Sequence, residues 1–228
     1  MGDKSRHFTF FRYAVGKNGA PLPLLNNNMG ENSNLNFHHP VSRHTPNVYL
    51  VPIGEIETPI LEEVKIGLES AFSLPVRILD RSANPSYAFE ALRRQYYSTK
   101  ILKDLDTRLP ADGMRIVGIA EVDLCTPVLT FVFGEAQFEG RAAVISLIRL
   151  RQEFYQLPSQ PPLLATRARK EAVHELGHTF GLTHCGDEDC VIHFSPTVTS
   201  IDQKRSGFCS ACRDILEDKL LKITDRGG

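Results

Sequence analysis

The chain lacks tryptophan altogether, and it lacks any excess of positive charge: 26 Lys and Arg stand against 27 Asp and Glu, for a net charge of −1. A balance of that kind carries no basic footprint for nucleic acid and no strongly charged face for a membrane surface. Long apolar runs are missing too. No stretch approaches the roughly 18 residues that a membrane-spanning helix needs. The start, Met1-Gly2-Asp3-Lys4-Ser5-Arg6, is polar and leads into no apolar run, so no secretory signal is expected. Arg6 stands where N-myristoylation wants Ser or Thr. The expectation is a cytoplasmic protein, a monomer, with no nucleic-acid or membrane partner. Methionine is scarce: Met1, Met29 and Met114 are all there is, and no tyrosine comes after Tyr155.

What is present suffices for a core. With 228 residues, 42% of them hydrophobic, one domain with a small appendage can be buried. Residues 1 to 46 look peripheral: Phe8 to Phe11 could form a short strand, but Gly, Pro and Asn dominate the residues after it. Order is expected from Val48 to Ile53, a β-branched and aromatic run. A helix should open at Pro59, with Leu61, Val64, Leu68 and Phe72 on one face. A strand at Val76 to Leu79 and a helix from Tyr87 to Leu105 come next. Three more strands are expected at 115–124, 128–133 and 142–150. A loop holding Pro158, Pro161 and Pro162 then leads into a helix from Leu164 to Phe180. That order predicts an α/β or α+β domain with a mixed sheet.

The last of these helices carries the chemistry. His174-Glu175-Leu176-Gly177-His178 puts two imidazoles four residues apart, one above the other on a single helix face. Gly181 can end the helix in a left-handed turn, letting His184 complete a set of three metal ligands. Three protein ligands leave a fourth position open, the arrangement of a catalytic rather than a structural zinc. Glu175, rotated about 100° from His174, is placed as the general base that takes a proton from water at that position and returns it to the leaving amine. The short motif alone could be an accident on a surface helix; Gly181 and His184 at their spacing argue against that.

A second constellation lies just beyond. Cys185-x4-Cys190 and Cys209-x2-Cys212 have the spacing of a closed four-thiolate zinc site. Paired cysteines in a reducing compartment are more often ligands than disulfides. His193 could stand in for a cysteine, but four need no help. Such a site folds the segment that holds it. Because Cys185 directly follows His184, the thiolate zinc is expected to pin the turn that delivers His184. Two zinc ions per chain are therefore expected, one catalytic and one structural.

With these residues in place the chain resembles the archaemetzincins, a family of the metzincin clan of zinc peptidases. The resemblance rests on His174-Glu175-x-x-His178-x-x-Gly181-x-x-His184-Cys185-x4-Cys190 with Cys209-x-x-Cys212. Phe131 to Ala136 and Val144 to Leu150 add to it, and it spans roughly residues 47 to 220. It implies a metzincin-like twisted mixed sheet over the active-site helix, with a small C-terminal zinc-stabilised subdomain. The catalytic domain would cover 47–184 and the subdomain 185–228. It implies hydrolysis of a peptide or protein substrate, and an edge strand that takes the peptide in extended form, with Val128 to Phe133 the expected strand. The sequence departs from the family at one place: the methionine expected two residues after the second cysteine is Ile192, which keeps an apolar floor but not the flexible thioether.

That departure keeps a second reading open, a zinc-binding protein that retains both metals but is catalytically weak or inactive. A third, a treble-clef-like zinc module, uses only the cysteine tail. If the chain trims amino termini, Glu135 and Glu139 are candidates, by their place near the expected edge strand, to hold the substrate's ammonium, although such carboxylates are more often simply solvated. The scattered basic residues, Lys4 and Arg6 among them, read as solvated surface.

Overall fold

The computed structural model describes residues 46–226; the expected Phe8 to Phe11 strand, with Lys4 and Arg6, lies outside them. A run of buried β-branched residues makes β1 (Asn47–Ile53), every residue of which is buried. The chain then enters α1 (Thr58–Phe72), with Pro59 in its first turn, where a missing N–H costs nothing. It returns as β2 (Val76–Ile78), parallel to β1. A small sheet comes next in the chain, built from β3 (Phe89–Glu90), β4 (Gln95–Tyr97) and, after the helix α2 (Ser98–Arg108) and the strand β5 (Gly113–Ala120), β6 (Leu124–Cys125). The strands β7 (Gly134–Ala136) and β8 (Ala142–Ser146) complete the larger sheet. Its five-stranded order is β2-β1-β5-β8-β7, parallel throughout except for the antiparallel edge strand β7. The mixed sheet is the one expected.

Alternation along the strands sorts the core into two layers. Val48 and Leu50 of β1 and Ala143 and Ile145 of β8 pack with α1 and α3 (Pro161–Thr179). Tyr49, Val51, Ala142 and Val144 pack on the opposite face with Ile101, Leu102 and Leu105 of α2. Residues 185–226 add α4 (Val198–Gln203) and α5 (Ser210–Arg226). Their apolar side chains, Ile192, Ile201, Phe208 and Leu216, join the layer of α1 and α3. Phe72 binds the three parts together, 5.4 Å from Phe180 and 5.6 Å from Phe208 between ring centroids.

Four local expectations give way. The helix expected from Tyr87 begins only at Ser98, because Arg94 takes φ +55° and breaks the run. Phe89 then pairs with Tyr96, and Tyr96 with Leu124. Residues 128–133 are no strand. Val128 and Leu129 are exposed, and only Val132 makes a single bridge to Leu124. The edge strand is β7, just beyond that run. The strand expected at 142–150 stops at Ser146, whose hydroxyl bonds Val122 O and receives Ile148 N, turning the chain away. Pro161 and Pro162, expected in a loop, form the first turn of α3.

Candidate metal centre

Helix α3 supplies two of the three histidines, and its C-terminus supplies the turn that delivers the third. Gly181 takes φ +84°. Gly181 N donates to His178 O at 3.0 Å and Leu182 N to Gly177 O at 3.2 Å, a paired closure of the helix end that needs the left-handed residue. The result brings His174, His178 and His184 together, with one nitrogen from each within 4.8 Å of the others. Ring centroids lie 4.7, 4.9 and 5.3 Å apart.

Two of the rings are oriented from behind. His174 Nδ1 donates to Val191 O at 2.9 Å and His178 Nδ1 to Leu182 O at 2.7 Å. A neutral imidazole whose Nδ1 carries the proton has its lone pair on Nε2. The two Nε2 atoms face each other at 3.0 Å. Two lone pairs at that range repel unless a cation lies between them, and a tetrahedral zinc with Zn–N near 2.0–2.1 Å would set them about 3.3 Å apart. Burial lowers the proton affinity of all three rings, that of His184 to about 4. The donor set therefore stays neutral at pH 7 and suits a divalent metal.

Glu175 is buried on the same helix. Burial first, then the carboxylates of Glu171 and Glu135, push its pKa well above the usual carboxylate range; a cation at the histidines would act in the opposite direction. Strand β7 closes over it. A Cβ on Gly134 would fall 2.5 Å from Glu175 Cγ and 2.8 Å from Oε1, a contact no side chain could make. Glycine at 134 lets the edge strand come this near Glu175. Composition gave no hint of that role, because the signal lies in a tertiary contact.

The cysteines also converge. Cys185, Cys190, Cys209 and Cys212 bring their sulfurs within 4.8 Å of one another, and none is in a disulfide. Cys185 Sγ and Cys209 Sγ are 3.8 Å apart. A disulfide would hold them near 2.05 Å, whereas the edge of a tetrahedron with Zn–S near 2.3 Å is about 3.8 Å. Asp187 N points at Cys185 Sγ and Cys209 N at Cys190 Sγ, as backbone donors do toward thiolates. Burial raises the thiol pKa of Cys190 and Cys212, so these two need a cation to ionise. The residues fit a closed metal site.

A turn shared by both clusters carries Ile192, which is fully buried. A Cβ on Gly177 would lie 2.7 Å from Ile192 Cδ1, so this side chain sits directly beneath α3 between His174 and His178. Cys185 N donates to Ile192 O, and His193 Nδ1 pairs with Cys185 O at 2.8 Å. His193 is thus occupied by the backbone.

Comparison with known proteins places the chain in a family. The model of peptidase family M54 matches residues 54–218. The archaemetzincin of Methanocaldococcus jannaschii is 39% identical over 177 residues, covering 78% of this chain and 96% of its own. That of Pyrococcus furiosus is 38% identical over 186 residues, 79% and 97% of the two chains. The chain belongs to peptidase family M54. The crystal structure of the archaemetzincin from Methanopyrus kandleri superposes with a TM-score of 0.69 at 34% identity, over 80% of this chain and 98% of that one. A zinc-dependent peptidase from Methanocorpusculum labreanum also gives 0.69, at 30% identity, over 74% and 99%. The protein is accordingly a zinc metallopeptidase of the archaemetzincin family. No helix among the described residues is long and apolar enough to cross a membrane.

Two carboxylates expected to face a substrate ammonium are already engaged. Glu135 accepts from Ser98 Oγ and Thr99 Oγ1, and Glu139 pairs with Lys219 at 2.8 Å. Nor are the basic residues all surface: Arg167, Lys170 and Lys204 are buried against α3 and α4.

Proposed function

We propose that the chain hydrolyses peptide bonds with a zinc ion held by His174, His178 and His184, and with Glu175 as general base. The observation that carries this is the convergence of the three imidazoles, two of them with Nδ1 committed to a main-chain carbonyl and Nε2 turned inward. A zinc ion there supplies Lewis acidity, polarising the substrate carbonyl and easing deprotonation of water. The chain does the rest. The Glu175 carboxylate accepts the proton from the attacking water and passes it to the departing amine. Gly134, bare of a side chain, holds the edge strand against that carboxylate.

The substrate is a peptide or protein, taken along β7. The bonds Ser146 N to Phe133 O and Gln137 N to Ala142 O set the odd positions of the hairpin as its hydrogen-bonded pairs. The main-chain groups of Gly134 and Ala136 therefore face the open side, where an extended peptide can add as a strand. A second zinc on Cys185, Cys190, Cys209 and Cys212 has a structural role, since four protein ligands leave no open position. Unpaired cysteines favour a reducing, cytoplasmic setting. The catalytically weak alternative rests on Ile192; its complete burial beneath Gly177 supports an intact floor.

Metal analysis of the purified chain, with peptide hydrolysis by Glu175→Gln, tests the reading. About two zinc ions per chain and a metal-replete but inactive variant are expected. Cleavage surviving in Glu175→Gln would falsify the assignment of the base.

A further inference from the structure

The active-site helix carries a buried charged strip that the proposed chemistry does not use. Arg167 forms a two-pronged pair with Asp202, Nε to Oδ1 at 2.7 Å and Nη2 to Oδ2 at 2.6 Å. Lys170 Nζ donates to Ile201 O and Asp202 O, both at 2.9 Å, satisfying carbonyls at the end of α4. These contacts clamp α4 to α3, and α4 ends on its C-cap residue Lys204. Lys204 is only 2% exposed. Its ammonium lies 3.3 Å from Glu171 Oε1, 3.4 Å from His193 O and 3.3 Å from His174 Nδ1.

A lysine and a glutamate buried together are costly to desolvate, and an apolar pair of similar volume often stabilises a fold as well or better. Stability alone is therefore a poor reason for this pair. Its position supplies another. Glu171 stands on α3 one turn before Glu175, and His193 O belongs to the turn whose Val191 O orients His174. Between Val191 and His193 lies Ile192, the floor of the site. Lys204 thus touches the helix, the turn beneath it and a candidate histidine ligand at once.

We infer that Lys204 is a positioning residue for the metal centre: its ammonium, balanced by Glu171, ties the Val191–His193 turn to α3 and so aims His174 Nε2 at the metal. The inference rests on the three-histidine reading above. It needs no change in the protonation of Lys204; it needs a donor at that point in space. An apolar replacement fills the volume but leaves His193 O without the donor.

Two variants separate this role from plain stability: Lys204→Met, and the apolar pair Glu171→Leu/Lys204→Met. Zinc affinity at the histidines is read by chelator competition. The orientation of His174 is read from its Nδ1–H signal in long-range 15N–1H spectra of the zinc-loaded protein, and stability from the melting temperature. Lys204→Met should lower zinc affinity at the histidines about tenfold or more, shift the His174 signal, and reduce kcat more than it changes KM. The apolar pair should recover the melting temperature without recovering affinity or kcat. If the apolar pair restores all three, or if Lys204→Met leaves affinity and the His174 signal unchanged, the positioning role is wrong. If wild-type protein takes up no zinc at the histidines, the metal reading itself fails, which is a different outcome.

Discussion

Two of the three histidines stand on one rigid helix packed against the sheet, whereas the four cysteines come from irregular chain and the start of α5. The helix keeps His174 and His178 in register through its own ladder and the core beneath it, whatever occupies the site. The cysteine half has no such ladder. Its closure relies on a few main-chain bonds, so a metal bound by the sulfurs would be folding energy for that segment. His184 and Cys185 join the two designs, and the Ile192 turn bonds to Cys185 on one side and, through Val191 O, to His174 on the other. On the proposed reading the difference divides labour: the helix would supply geometry for chemistry, and the thiolate cluster would set the position of the third ligand.

The contrast can be broken where it is strongest. Glu175→Gln should lower kcat/KM by a factor on the order of 10² to 10⁴, as loss of a general base does, with the zinc content of both clusters unchanged. Next in size is a cut at the other cluster. Cys209→Ser should remove the thiolate zinc, lower the melting temperature and weaken zinc at the histidines by roughly 10- to 100-fold, through the freed His184 turn. Chelator competition reads that number; unaltered affinity at the histidines would show the clusters to be independent. Gly134→Ala probes the helix side without touching a ligand. It should displace Glu175 by a few tenths of an ångström or more and cost up to about 10² in kcat, while both metals stay bound.

Acid sharpens the contrast more gently. The proton affinities of the three histidines are lowered by burial, that of His184 to about 4. Between pH 6.5 and about 4 the unfolded chain binds more protons than the folded one. The stability contributed by these neutral rings is therefore complete above pH 6.5 and lost as pH falls toward 4. Urea midpoints of protein without metal at the histidines should fall across that window, and His184→Ala should flatten part of the slope. The smallest effect belongs to Glu139→Ala. Its pair with Lys219 is solvent-exposed, so the change should cost under about 1 kcal/mol and leave hydrolysis intact.

How much of this was legible beforehand depends on the range of the forces involved. β1, α1 and the ligand helix could be read because local periodicity and a buried face agree along each. The convergence of the candidate ligands could be read because coordination needs particular atoms at particular spacings, and Gly181 because a helix end there needs a left-handed residue. The parts that could not be read rest on contacts distant in sequence. Arg94 breaks a helix whose apolar spacing looked continuous, since Tyr96 gains a partner in Leu124. The edge strand falls at Gly134–Ala136, paired with β8 and packed at Gly134 against Glu175, and not in the more β-prone run before it. Lys204 and Glu171 look like surface charges until α4 folds back onto α3. Polar residues paired across 33 positions, as Glu171 and Lys204 are, leave no pattern that a window along the chain can detect.

Anomalous diffraction at the zinc edge from crystals of the zinc-loaded chain tests the central claim most directly. Two peaks per chain are expected. One should lie about 2.0–2.1 Å from Nε2 of His174 and His178 and from a nitrogen of His184, and the other about 2.3 Å from the sulfurs of Cys185, Cys190, Cys209 and Cys212. A single peak at the cysteines, with none among the histidines, would contradict it.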